Sequence, residues 1–228
     1  MAMTRRTRWA VVIAAVAVVM AGGGYAAFAM LAGGSGPAPV DISSVGSNSS
    51  GADRALTGTW KLEASRSFVG YRVREKLAML PAPSDAVGRT AAVTGSLAMS
   101  GKSITGVDVS ADLRQLHSDR SMRDERIRTI GLESDSFPTA RFTLTRPIAF
   151  SKAPAMGQTV SARATGRCTL HGVTRTVTVP VRARWTGNQI VVVGSFSITF
   201  DEYGIAPPNF GPVAVGDKGT VEFQLVFV

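Results

Sequence analysis

Residues 122–142 read Met-Arg-Asp-Glu-Arg-Ile-Arg-Thr-Ile-Gly-Leu-Glu-Ser-Asp-Ser-Phe-Pro-Thr-Ala-Arg-Phe, and this stretch does most to decide the fold. After a charged Arg-Asp pair, Ile127 and Ile130 lie three residues apart, so they share one face of a helix. Gly131 is a suitable helix terminator, and Pro138 favours an extended chain. The stretch therefore predicts one short helix followed by a strand.

From Thr59 onward, apolar and polar residues alternate with a period of two, which is typical of β-strands. Thr186-Gly187-Asn188 joins two of these runs as a short hairpin. About eight such strands indicate an antiparallel barrel or sandwich, with the helix covering one end. The apolar faces include Val93, Leu97 and Met99; Val107, Val109, Ala111 and Leu113; Phe142 and Leu144; Val177, Val179 and Val181; Ile190, Val192, Phe196 and Ile198; and Val221, Phe223, Leu225 and Phe227.

An uncharged apolar run, residues 9–32, is long enough to cross a bilayer as one helix. Three arginines within residues 1–8 precede it, so we expect residues 1–8 in the cytoplasm and the rest of the chain outside. A cleaved secretory signal, with Ala27-Phe28-Ala29 as its cleavage site, is the alternative. Thr4-Arg5-Arg6 matches a twin-arginine signal loosely. Each of these interpretations exports the following domain.

Residues 33–55 are rich in Gly, Ser, Pro and Asn, which predicts a flexible linker before a single folded domain at 56–228. The formal net charge of the chain is +9. Its arginines are scattered and no aromatic residues are interleaved with them, so we expect no nucleic-acid partner. Weak attraction to anionic lipid head groups fits the charge better. The use of Ala, Val, Arg and Gly with few Lys is typical of a high-GC bacterium.

The chain offers little catalytic chemistry. Cys168 is its one cysteine, so no intramolecular disulfide can form. We expect Cys168 to be a small buried apolar residue. Two distant histidines and one cysteine give no metal-ligand spacing. His171 is expected to form a structural hydrogen bond at a turn, and an enzyme that uses His171 is the alternative. Ser121 and Asp124 fit a helix start signal, and Arg123-Asp124 is expected to be an ion pair that holds the helix.

Several motifs together resemble one known family. Trp60 and the strand at 68–73 look like the opening of that family, and Phe137-Pro138 after the Arg-Asp helix is similar to its middle. The run at 170–175, Leu-His-Gly-Val-Thr-Arg, looks like its next signature. These features resemble the YceI-like family of exported, lipocalin-like barrels that bind polyisoprenoid lipids. The resemblance implies an all-β fold, an antiparallel eight-stranded lipocalin-like barrel with a short capping helix.

The sequence departs from this family at positions that bear on the ligand. Arg74-Glu75-Lys76 stands where the family often has a histidine, and Phe200 stands where an arginine is common. The run at 78–89 looks like a longer loop. These departures leave the fold prediction in place and leave the ligand open.

The resemblance implies a binding protein that is not an enzyme and needs no cofactor or metal beyond a bound isoprenoid lipid or quinone. Arg123, Asp124, His171 and Arg175 are the polar candidates for its site. An envelope interaction module with a filled core and no ligand is the alternative. The apolar residues expected to face a ligand are Val109, Leu113, Phe142, Leu144, Leu170, Val192, Phe196, Phe223 and Leu225.

Overall fold

A computed structural model describes residues 36–45, 53–77, 83–207 and 213–228, and in them the fold is all-β with one short helix. The helix α1 covers Ser121–Arg126, and a π-helical stretch continues it over Ile127–Gly131. The strands are β1 Gly58–Lys61, β2 Phe68–Leu77, β3 Ser84–Thr90, β4 Val93–Ser100, β5 Ser103–Asp112, β6 His117–Ser118, β7 Thr139–Leu144, β8 Ile148–Ala149, β9 Thr159–Leu170, β10 Val173–Trp185, β11 Ile190–Thr199, β12 Val213–Val215 and β13 Lys218–Phe227.

The strands form a single antiparallel sheet that curls back toward its own beginning. Along the sheet the order is β1-β4-β5-β7-β9-β10-β11-β13-β2-β3-β6, while β12 pairs with β2 and β8 with β5. The last long strand, β13, therefore lies between β11 and the early strand β2. Within the described residues, an early strand and the last strand are thus neighbours in the sheet.

The predicted count of eight strands is wrong, because the described part of the chain forms thirteen. Bends divide runs that read as single strands in the sequence. A 3₁₀ turn at Ala64–Arg66 separates β1 from β2, and the two residues at 91–92 separate β3 from β4. Apolar and polar residues continue to alternate through such a bend, so the sequence pattern does not reveal where a strand is divided.

The apolar core fills the inside of the curled sheet as two clusters. Trp60, fully buried, packs in one cluster with side chains from β4, β5, β11 and β13. Tyr203, also buried, packs in the other cluster near α1. The clusters consist of Trp60, Leu97, Met99, Val109, Ile190, Leu225 and Phe227, and of Leu113, Leu116, Leu170, Ile198, Phe200, Tyr203, Ile205 and Val215.

The flexible linker predicted at 33–55 is wrong for residues 36–45, which pack against the outside of the sheet. Ile42 is 1% exposed and Val45 is 7% exposed. Arg184 donates through Nη2 to the carbonyl oxygens of both residues, at 3.3 and 2.7 Å. This N-terminal segment, 36–45, supplies the outer half of a third apolar cluster, whose sheet residues are Val191, Val193 and Val226.

The membrane-spanning helix predicted at 9–32 lies outside the described residues. Within 36–45, 53–77, 83–207 and 213–228, no helix combines the length and the apolar character needed to cross a bilayer.

Candidate functional site: an apolar cavity with arginines at one end

The curled sheet contains two adjoining cavities, of about 290 and 130 Å³. They share four wall residues, which are Val69, Ala140, Cys168 and Val221. We refer to them as the larger and the smaller cavity. The two cavities are therefore neighbours inside the curled sheet.

Eight of the nine predicted ligand-facing residues lie on the cavity walls. Leu113 and Leu170 line the larger cavity. Leu144, the last residue of β7, is half-buried and lines neither cavity. The structure thus brings most of these residues together, while their contact with a ligand remains a prediction. The six that line the smaller cavity are Val109, Phe142, Val192, Phe196, Phe223 and Leu225.

Sequence reasoning missed the wall that α1 contributes to the larger cavity. Arg120, Met122, Arg126 and Ile127 line this cavity beside Arg123. The prediction that the helix covers one end could have identified them, because residues three and four apart face the same side of a helix. Met122 is 70% exposed although it lines the cavity, so this end lies close to the surface.

The predicted ion pair between Arg123 and Asp124 is wrong. Arg123 Nη2 lies 3.0 Å from Glu75 Oε2 on β2, and Arg123 also bonds to Asp119. Asp124 Oδ1 accepts hydrogen bonds from the backbone nitrogen and the hydroxyl of Ser118, at 2.9 and 2.6 Å. Neighbouring helical residues point in different directions, which explains why the two side chains take separate partners.

The Arg123–Glu75 pair fixes α1 to the sheet. Their side chains are 14% and 12% exposed, and Arg123 Nε lies 3.2 Å from Glu75 Oε1, so the contact is bidentate. Burial by itself lowers the pKa of Arg123, but the hydrogen bond and charge of Glu75 together with Asp119 outweigh burial, and the pKa of Arg123 is raised. Arg123 is therefore charged at this end of the cavity.

His171 forms hydrogen bonds at the turn between β9 and β10, where a hydrogen bond was expected. Its Nδ1 lies 3.1 Å from the carbonyl oxygen of Tyr203, and its Nε2 lies 2.9 Å from Glu133 Oε2. Its ring is 4.2 Å from that of Phe137. With φ of 51° at His171 and 72° at Gly172, the β9–β10 hairpin has the left-handed turn residues of a type I′ turn. His171 therefore links this turn to the segments before β7 and after β11.

The last of the four polar candidates makes a structural contact as well. Arg175 Nε donates to the carbonyl oxygen of Glu202 at 2.9 Å.

Burial raises the pKa of the Cys168 thiol and that of the Tyr71 phenol, which keeps both groups protonated and neutral on the cavity wall. Among the described residues, no group of three or more His, Cys, Asp and Glu side chains could hold a metal ion.

The family model for the YceI-like domain matches residues 60–227. The chain belongs to the YceI-like family. This match covers every strand of the curled sheet from β2 to β13, and it includes α1 and the arginines that line the larger cavity. No curated protein matches the chain.

Two solved structures have a fold similar to that of this YceI-like chain. One is a polyisoprenoid binding domain from Saccharophagus degradans implicated in plant cell wall breakdown, with a TM-score of 0.58 and 17% identity over 74% of this chain and 97% of that one. The other is BcnA from Burkholderia cenocepacia, with a TM-score of 0.55 and 20% identity over 72% and 98%. At these identities the likeness concerns the fold alone.

Proposed function

We propose that this YceI-like protein is a non-enzymatic lipid-binding protein that holds the chain of an isoprenoid lipid or quinone inside its curled sheet. The observation that carries this proposal is the pair of adjoining cavities with apolar walls. Each buried CH₂ group contributes about 0.8 kcal/mol, so a prenyl chain needs no specific polar contact to bind. The S. degradans relative, described as a polyisoprenoid binding domain, supports the same ligand class.

The strand pairing supports a lipocalin-like barrel around that ligand. β1 and β2, β3 and β4, and β7 and β8 each follow one another across a short bend, and β6 and β12 are short additions, so the thirteen strands form eight main segments of the wall. Leu62, just after β1, also bridges Phe227 of β13. A barrel of this size has room inside for one small ligand.

We further propose that residues 9–32 anchor the protein in the cell membrane, with residues 1–8 in the cytoplasm and the barrel outside the cell membrane. The three arginines before the apolar run support this orientation. Cleavage after Ala29 would instead release the domain. Protease added to intact spheroplasts tests the orientation, because it should digest an exposed barrel and spare a cytoplasmic one.

The lipid-binding function is tested by purifying the full chain in a non-ionic amphipol, extracting the bound lipid with organic solvent and identifying it by mass spectrometry. Ala140 lines both cavities, so Ala140→Phe should obstruct their junction. Ala149→Phe makes the same change at an exposed position on β8 and serves as the control.

We expect a stoichiometric prenyl lipid in the native chain and in the Ala149→Phe control, and little lipid in Ala140→Phe. A lipid that is retained equally by all three proteins comes from the amphipol belt and counts against the proposal. A native chain that is empty and also fails to take up farnesol or a quinone would favour the envelope interaction module.

A further inference from the structure

We propose that the end of the curled sheet that carries α1 rests on the surface of the cell membrane, with Met122 and Ile130 in the head-group region, so that lipid enters the larger cavity directly from the bilayer. The inference rests on the proposed lipid-binding function and membrane anchor, and it deepens them by giving the barrel one orientation. The partner that covers this end of the molecule is therefore a lipid bilayer and not a second protein.

The N-terminal segment meets the sheet near its α1 end. Gly36 lies against Val87 of β3, since a Cβ atom added to Gly36 would come within 2.6 Å of Val87 Cγ2. Ala86, the neighbour of Val87 on β3, lines the larger cavity. The strand beside β3 is β2, whose Glu75 holds Arg123 of α1. Gly36 is thus close to the part of the sheet to which α1 is attached.

From Gly36 the N-terminal segment runs toward the opposite end of the sheet. The carbonyl oxygens of Ile42 and Val45 accept hydrogen bonds from Arg184, which precedes the last residue of β10. Val173, the first residue of β10, packs instead with the apolar cluster near α1. The two ends of the N-terminal segment therefore lie toward the two ends of the sheet, and the chain enters the fold from the α1 end.

The link between the proposed anchor and the fold is short. The apolar run ends at residue 32, and the four steps of chain from residue 32 to residue 36 span at most about 14 Å. The strand β9 has 12 residues and is about 40 Å long, so a strand tilt of about 40° leaves about 30 Å between the two ends of the sheet. An anchor in the bilayer therefore keeps the α1 end near the membrane and the opposite end away from it.

The α1 end also presents apolar side chains to the outside. Met122 is 70% exposed and Ile130 is 44% exposed, and Met122 lines the larger cavity as well. When a helical segment lies on a bilayer, such side chains enter the boundary between head groups and acyl chains. Among the described residues, the other exposed large apolar side chains are Met156 and Val228, at the opposite end. Exposure alone suits either end, and the short link selects the α1 end.

The test measures which end of the sheet enters the bilayer. The full chain is reconstituted in vesicles of phosphatidylethanolamine and phosphatidylglycerol, and Cys168→Ala removes the native thiol. Met122→Cys and Ile130→Cys then carry a nitrobenzoxadiazole fluorophore, which is quenched by lipids with a nitroxide near the top of the acyl chain. Circular dichroism checks that each variant folds.

Met156→Cys, with the same fluorophore, is the matched control. Met156 is 52% exposed, and the backbone nitrogen of the residue after it lies 2.7 Å from the carbonyl oxygen of Trp185, the last residue of β10. It is therefore a methionine on the surface at the end of the sheet opposite α1.

We expect the quenching at Met122 and Ile130 to exceed that at Met156 at least about threefold, because apolar residues of an interfacial helix lie about 5–10 Å deep. Equal quenching at the two ends, or quenching at neither, would contradict the proposed orientation. Stronger quenching at Met156 would show the reverse orientation.

Lipid extraction from the native chain separates the orientation from the lipid-binding function. A chain that carries a prenyl lipid while the fluorophores on α1 stay unquenched overturns the orientation and keeps the function. Quenched fluorophores on a chain that neither carries a lipid nor takes up farnesol support the orientation and contradict the function.

Discussion

At the scale of single residues, the polar side chains around the larger cavity hold its walls in place. Arg123 reaches from α1 to Glu75 on β2, and His171 connects Glu133 to the backbone at Tyr203. These contacts join segments that are far apart in the sequence, and the Arg123–Glu75 pair holds α1 against β2.

Replacing Arg123 with alanine should lower the free energy of unfolding by about 1–3 kcal/mol, because the largely buried Glu75 side chain would lose its hydrogen-bonding partner. Urea denaturation measures this change. Arg128→Ala is the control, and its exposed pairs should be worth less than about 1 kcal/mol. Equal destabilisation by the two variants would mean that the Arg123–Glu75 pair does not fix α1.

Cys168 offers a native probe of the cavities, because its thiol lies in the wall that they share. Burial raises the pKa of this thiol, and only the thiolate reacts. At pH 8 we expect iodoacetamide to modify the folded protein at least about tenfold more slowly than the protein in urea. The reaction should speed up as the pH rises, and farnesol should slow it further. A rate equal to that of the unfolded chain would show that the cavity wall is open to water.

At the scale of elements, the N-terminal segment 36–45 and α1 each cover one surface of the curled sheet. The N-terminal segment covers an outer face, where Arg72 and Arg89 also donate to the carbonyl oxygens of Pro37 and Ala38. It shields Glu222, which is 2% exposed and pairs with both arginines. Among the described residues, 36–45 therefore pack as part of the folded unit, although they precede the predicted start at residue 56.

The N-terminal segment should contribute measurably to stability. Ile42→Ala removes a side chain that is 1% exposed, and we expect it to lower the free energy of unfolding by about 2–5 kcal/mol. Pro39→Ala changes an exposed residue of the same segment and should alter the free energy of unfolding by less than about 0.5 kcal/mol. If Ile42→Ala behaves like Pro39→Ala in thermal and urea denaturation, the segment does not pack as described.

At the scale of the whole molecule, the inner face of the sheet surrounds the cavities, and the N-terminal segment covers part of the outer face. A ligand that fills the cavities binds only the folded protein, so it should stabilise the fold by mass action. With farnesol at about one hundred times its dissociation constant, the expected gain is about 2.7 kcal/mol. This corresponds to a rise in melting temperature of about 5–10 °C for a domain of this size.

Differential scanning fluorimetry of the full chain measures this shift. The Ala140→Phe variant, in which the junction of the cavities is obstructed, should show little change with farnesol, whereas Ala149→Phe should respond like the native chain. A shift of the same size in Ala140→Phe would indicate that farnesol binds elsewhere on the molecule.

The sequence alone determined the all-β fold class, most strand positions and eight of the residues that line the cavities, because period-two alternation directly reports which side chains face inward. It also determined the helical region and the end of its π-helical stretch at Gly131. The tertiary structure decided where bends divide the strands, that Arg123 pairs with Glu75 and that residues 36–45 pack on the outer face. These features depend on contacts between residues distant in the chain, and local patterns of polarity carry no information about such partners.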